Sequence, residues 1–304
     1  MQIMSLITAL PGAAAQGLIW GIMAIGVYIT FRILDIADLT VDGTLCTGGA
    51  VCIMMMLSGH NVWVSMLVAT GAGLLAGLAT GIFHTFMGIP AILAGILTQL
   101  SLYYINLKIM GKANQAINVD KFNLLVSLRR VKGVALTQNT LFIVAIMIII
   151  LIAVLYWFFG TELGCSLRAT GCNPSMSRAQ GINTDRNKVL GLMLSNGLVA
   201  LSGALLTQYQ GFADINMGRG SIVIGLAAVI IGEAIFSRIF RNFALKLLSV
   251  VFGSILYYLV LQIVIWMGID TDLLKMLSAL VVAFFLAFPY WKGKYFTKAK
   301  QGGK

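Results

Sequence analysis

Two short stretches hold most of the chemistry that this chain could offer. ADLTVDGT, from Ala37, and ADINMGRGS, from Ala213, set Asp38, Asp42 and Asp214 among apolar neighbours. A carboxylate inside a span is costly. It marks either a path, where a solute ammonium or hydroxyl would be its partner, or a helix start, where free backbone N–H groups would be. The sequence leaves both readings open, and Asp35 shares the ambiguity. In PAILAGILTQLSLYYINLKIMG, Gln99 and Tyr103 stand at i and i+4 on one helix face. They are suited to lining a polar path and equally to packing helices. Catalysis finds no footing: G-x-S-x-G, H-E-x-x-H and the phosphate loop G-x-x-x-x-G-K-[ST] do not occur, and neither does C-x-x-C. His60 and His84 are distant from each other in sequence, so no metal site is expected.

The elements that must position these groups are membrane helices. The chain is 59% hydrophobic and 10% charged, with 33 glycines and a mean hydropathy of +0.94, too few charges to clothe a soluble domain of 304 residues. Long charge-free intervals, such as Asp42 to Lys108, divide into about nine spans of roughly 20 residues. They are placed near 12–31, 41–57, 62–83, 88–110, 138–159, 187–209, 221–240, 246–267 and 272–290. The expected fold is all-α and polytopic, one transmembrane domain over 1–304, because these runs lack the alternation of barrel strands.

The two acidic stretches also look like counterparts. Each follows a glycine-bearing span, opening at Gly17-Leu18 and Gly197-Leu198, and each continues to Gly-Thr or Gly-Ser (Gly43-Thr44, Gly220-Ser221). By span count the first copy enters from one face and the second from the other, predicting an inverted repeat with interrupted helices. Such breaks are tolerated where freed backbone groups adjoin a protein-buried or water-filled cavity. Glu233, deeper in AAVIIGEAIFSRIF, is expected either to pair with Arg238 or to lie near an inner gate.

Lysine and arginine bias sets the orientation. The tail 291–304, the loop 160–187 and the turn around Arg238, Arg241 and Lys246 are all basic and fall on one face of a nine-span chain, which is then cytoplasmic. That places the N-terminus outside and the C-terminus inside. The basic loop 111–137 lands outside against the rule, so it is either a docking surface or a sign that the count is off by one. The net charge of +11 reads as inside-positive bias and attraction to anionic lipid, not as nucleic-acid binding.

The loop 160–187 contains an unusually well-specified helix. In RATGCNPSMSRAQGINTDR, Asn173 is placed to cap, Pro174 suits the first helical position and Gly181 suits a left-handed stop. About two turns lie between, and Met176, Ala179 and Ile182 can fall on one side while Ser175, Arg178 and Asn183 face elsewhere. Either this is a connector on the headgroups or it is a rigid knob for a cytoplasmic partner.

The run LGCSLRATGCNPSMSRAQGINTDRNKVLGLMLSNGLVALSGALLTQYQG resembles the coupling loop and following helix of permease subunits of ABC importers in the branched-chain amino acid and ribose transporter superfamily. The residues that carry the likeness are Leu167, Arg168, Ala169, Gly171, Asn173, Pro174, Ala179, Gly181 and Ile182, then Gly197, Ala200, Gly203 and Ala204. GLIWGIMAIGVYITFRILDIADLTVDGTLCTGGA resembles the family's opening spans. The resemblance implies a membrane subunit in a bacterial inner membrane that works as a homodimer, with two ATPase subunits that bind ATP and magnesium and an external solute-binding protein. It implies a coupling role for Asn173, Pro174, Ser175, Met176, Ser177, Arg178, Ala179, Gln180 and Gly181. The wording LDIADLTVDGT is most like the amino-acid-uptake subgroup, with a sugar or nucleoside as second substrate. The rival from another class is an ion-coupled secondary transporter, which would need no capped loop helix.

Overall fold

In the computed structural model the described residues are 2–119, 122, 124–131, 139–236, 240, 242–267 and six single positions between 276 and 287. The chain runs α1 (Gln2–Tyr28) into a π-helical turn (Ile29–Ile33), then α2 (Val41–Leu57), α3 (Val62–Thr85) and α4 (Ala91–Met110). A short strand β1 (Asn114–Ala116) and a 3-10 turn (Leu128–Val131) follow, then α5 (Thr140–Gly160), α6 (Glu162–Cys172) and α7 (Pro174–Ala179). The second half holds α8 (Thr184–Gln210), β2 (Phe212–Asp214), α9 (Ser221–Phe236) and α10 (Phe243–Trp266).

Eight expected spans correspond to helices, but they are not alike. Among the described residues six segments are long and apolar enough to cross a bilayer, whereas Val41–Leu57 and Ser221–Phe236 are shorter. Those two are α2 and α9, the helices that follow the acidic stretches. The expected span 221–240 is described as helix as far as Phe236, and residues 237–239 lie outside the described residues. The ninth span and the tail 291–304 lie almost entirely outside the described residues, as do Arg238 and Arg241.

Small residues let the helices approach closely, as they must where lipid supplies no hydrophobic drive between them. Gly73, Gly77 and Gly81 of α3 abut Asn196, Leu192 and Val189 of α8, while Gly17 and Gly21 of α1 abut Ile255 and Val251 of α10. Between α1 and α8 the contact is polar. Ser195, Ser202 and Tyr209 donate through their hydroxyls to the carbonyls of Gly26, Ile19 and Gly12, at 2.8, 2.8 and 3.1 Å. Donors and acceptors both step by seven residues in opposite directions, so these are antiparallel helices bolted along one seam. Thus α1, α2 and α3 stand to α8, α9 and α10 as an inverted repeat: α3 packs on α8, α10 packs on α1, and the two long helices meet at the centre. Burial agrees, with 78% of the α1 window inside against 22% for α5.

An all-helical expectation misses one detail. Asn114 to Ala116 pair antiparallel with Asp214 to Phe212, giving a two-stranded ribbon. Because β1 follows α4 and β2 follows α8, these two helices end on the same side of the bundle. Gly171 packs on Ile33 and Gly191 on Leu34 at the other end, beside α6.

Candidate functional site at the half-helix junction and the capped loop helix

α2 and α9 start inside the bundle, not at its rim. Asn196 is twelve residues into α8, about 18 Å along a helix about 40 Å long. Its Nδ2 donates to Asp38 Oδ2 at 2.7 Å, and its Oδ1 accepts from Thr44 Oγ1 at 2.7 Å. From there α2 runs alongside α8 toward the end that carries the ribbon, with Gly48 against Ala200 and Cys52 accepting from Gln208. α9 takes the opposite course. Gly225 meets Met23 and Val27 in the last two turns of α1, and Glu233 reaches Arg32 in the π-helical turn beyond it.

The two half-helices are tied where they begin. Asp42, in the first turn of α2, accepts from Gly220 N at 3.0 Å, Ser221 Oγ at 2.8 Å and Ile222 N at 2.9 Å. It therefore caps α9, a helix 180 residues away, and satisfies N–H groups that no residue of α9 itself could reach. Gly218 lies against the Asp42 carbonyl with no room for a side chain.

Asp38 lies apart from this junction and is 2% exposed. Besides Asn196 it accepts from Thr40 N at 2.9 Å. Thr40 continues the chain to Thr80 at 2.7 Å, and Thr80 donates to Thr98 at 2.9 Å, so a hydroxyl ladder runs from the first break through α3 to α4. These bonds fill the polar valences that a buried carboxylate and hydroxyls require.

Gln99, Tyr103 and Asp214 lie on elements next to the starts of α2 and α9, and Asp42 itself bonds to Gly220, Ser221 and Ile222. A side chain on Gly43 would meet the Gln99 Cα at 3.1 Å. Asp214 Oδ1 accepts from Asn216 N at 2.7 Å, and its Oδ2 from Asn114 Nδ2 at 3.4 Å. Over the Tyr103 ring, 6.0 Å from its centre, stands the guanidinium of Arg219, a residue that sequence reasoning passed over. Among the described residues that ring is the contact its side chain makes, and Arg219 is exposed. At the centre of a bilayer a charge facing lipid would cost about 3 kcal/mol on insertion scales. Its one sequence signal is to be the basic residue within the second break, GRGS.

Glu233 pairs with Arg32, whose Nε and Nη2 donate to its two oxygens at 2.9 and 2.7 Å, while Arg238, the partner expected from the sequence, lies outside the described residues. The pair ties α9 to the π-helical turn of α1, a contact across 201 positions that sequence spacing could not reveal. Asp35 is exposed and takes a left-handed φ of 55° where the chain turns back toward α2.

In the loop helix, Asn173 accepts from Met176 N at 3.0 Å, Pro174 opens α7, and Gly181 has φ 81°. α7 spans six residues, Pro174–Ala179. The buried position is Ser177, at 4%, while Met176 is 61% exposed and Ala179 is also exposed. The expected apolar side of Met176, Ala179 and Ile182 is thus turned outward in its first two members, because α7 folds back on α6 and α8 through Ser177. Its carbonyl accepts from Ile182 N, which closes the turn. Arg178 braces the exit with Nε to Thr184 Oγ1 at 2.8 Å. Ser175, Gln180 and Gly181 are exposed.

Residues 10–286 match the model of a family described as branched-chain amino acid transport system / permease component. The chain belongs to this family. It is 38% identical over 272 residues to the tyrosine transport system permease protein of Clostridioides difficile, covering 90% of this chain and 88% of that one. An uncharacterized protein of Rickettsia prowazekii is 38% identical over 281 residues, 91% and 95% of the two chains. The fructose import permease protein FruF of Bifidobacterium longum is 25% identical over 246 residues, 81% and 67%. This permease is thus a multi-pass membrane protein of transport, built around two half-helices.

Proposed function

We propose that this permease is the membrane subunit of an ATP-driven importer for amino acids. It works as two copies in a bacterial inner membrane, with its N-terminus outside, together with two separate ATPase subunits and an external solute-binding protein. The observation that carries the reading is α7: a capped and stopped six-residue helix that exposes Met176 at a bundle end. An isolated helix this short would not persist in water, and here Asn173, Ser177, Gly181 and Arg178 hold it. Rigidity with an adaptable apolar tip suits insertion into a groove of a moving partner.

Closure of the ATPase subunits on ATP would push α7 and, through α6 and α8, the seam between α1 and α8. The two half-helices hang on that seam, so outward and inward openings are the two states whose balance ATP shifts. An amino acid is the substrate favoured by the family description and by the name of the relative at 38% identity. A sugar is the second reading, on the fructose import permease at 25%.

The test is co-purification of the ATPase from native membranes, with Met176→Asp and Gly181→Val beside the wild type. Both variants are expected to reach the membrane in normal amount and to lose most of the bound ATPase and of the uptake. Wild-type protein that purifies without an ATPase and still moves solute on an ion gradient would overturn the importer.

A further inference from the structure

The carboxylates at the half-helix junction are spent, and the cation is not. Asp42 gives both oxygens to the start of α9, and Asp214 gives both to Asn216 and Asn114. Arg219 has the Tyr103 ring beneath it and neither an ion pair nor a side-chain hydrogen bond to a described residue. It lies between Gly218, which packs on Asp42, and Gly220, whose N–H Asp42 accepts, so it is anchored at the level where both half-helices begin. The carboxylates keep their charge but their oxygens are already engaged, so the polar edge left free to bind on this face is the guanidinium, the reverse of what a row of aspartates suggests.

From this we infer that Arg219 is the group that receives the carboxylate of the transported solute halfway through the membrane. This rests on the importer reading and goes further by assigning both the residue and the chemical class. An arginine held over an aromatic face keeps its N–H edge free, and that edge matches a carboxylate with two parallel hydrogen bonds. Lysine would supply charge without the fork. The exposed guanidinium also requires that water, not acyl chains, bathe this face of α4 and α9, which a second copy laid against it would secure.

Two measurements decide it. In a chain with Cys165 and Cys172 changed to serine, and with the buried Cys46 and Cys52 left in place, Arg219→Cys is expected to react with a membrane-impermeant sulfonated thiol reagent. Failure to react, under conditions that label an exposed control cysteine at Asn216, would overturn the inference. Next, cells lacking this chain are compared with complemented cells for uptake of labelled amino acids, hexoses and nucleosides. The lost solute is expected to carry a carboxylate, with Arg219→Gln lowering its uptake at least tenfold and Arg219→Lys restoring part of it, at equal protein level and unchanged dimer on gel filtration. Full uptake by Arg219→Gln, dissociation of the dimer, or a lost solute without a carboxylate would each sink the assignment and leave the importer standing. Loss of no solute at all would remove the importer and the assignment together.

Discussion

The two breaks share a pattern in the sequence and differ in the folded protein. The first, between α1 and α2, is exposed at Asp35 and Ala37 but sealed where it enters α2: Asp38 and Thr40 are buried and bonded to α8 and α3. The second, between α8 and α9, is open: Asn216, Arg219 and Gly220 are exposed, and its own aspartate makes a local turn. An inverted repeat can thus keep its geometry while its two breaks differ in burial, one locked into the bundle and the other with polar groups exposed. The lock depends on Asn196, whose amide serves Asp38, Thr44 and the Leu192 carbonyl at once.

Asn196→Leu is the substitution that should break the comparison most severely. It strips a partner from the buried Asp38 carboxylate, at a cost of about 1 to 3 kcal/mol or more for a charged group, while the Thr44 hydroxyl keeps only its longer bond to the Thr40 carbonyl. The expected outcome is a chain that fails to accumulate or that melts far below the wild type in a thermal denaturation assay in detergent. Arg219→Gln, in the open break, should melt with the wild type. Equal melting of the two variants would abolish the distinction between sealed and open.

Much of this division was hidden from the sequence for physical reasons. Apolar runs announce helices, and Asn173, Pro174 and Gly181 announce α7, because caps and stops are local and their spacing is fixed by one helical turn. The depth at which α2 and α9 begin is not local. A run of 17 or 16 apolar residues reads as a short full span, and its position follows only from what it packs against. Asp42 illustrates the limit: its place in the first turn of α2 suggests that it caps its own helix, yet the N–H groups it satisfies belong to α9. The ribbon of β1 and β2 was invisible because three-residue strands carry no alternation to detect. Arg219 was passed over because a lone arginine beside glycines looks like a surface turn until depth is known.

Asp42→Ala sharpens the comparison at the next level. A lost cap typically costs about 0.5 to 2 kcal/mol, and this one removes three bonds, so the upper end is expected. Because the cap joins the halves, the consequence should appear at a distance from the site. Amide hydrogen exchange is expected to quicken in the first turn of α9, at Ile222 to Ile224, while α2, which holds the mutated residue, keeps its protection. Faster exchange confined to residues 41–45 would mean that Asp42 serves its own helix.

The smallest effect concerns the seam that carries both breaks. Ser202 donates to Ile19 O at 2.8 Å and Ser195 to Gly26 O at the same distance, yet Ser195 is one residue from Asn196 in the lock and Ser202 is one heptad farther along. Hydrogen bonds between membrane helices average about 0.6 kcal/mol when measured by double-mutant cycles, because the separated helices find other partners. Alanine at either site leaves a backbone carbonyl that already serves its own helix, so no group is stranded. Each substitution should therefore lower stability by about that amount, a small shift of the melting temperature. If the sealed break is one cooperative unit, Ser195→Ala combined with Thr44→Val should cost more than the two separately, whereas Ser202→Ala combined with Thr44→Val should be additive, since residues without shared partners add. Coupling of the same size at both serines would mean that the whole seam, and not the break, is the unit that locks.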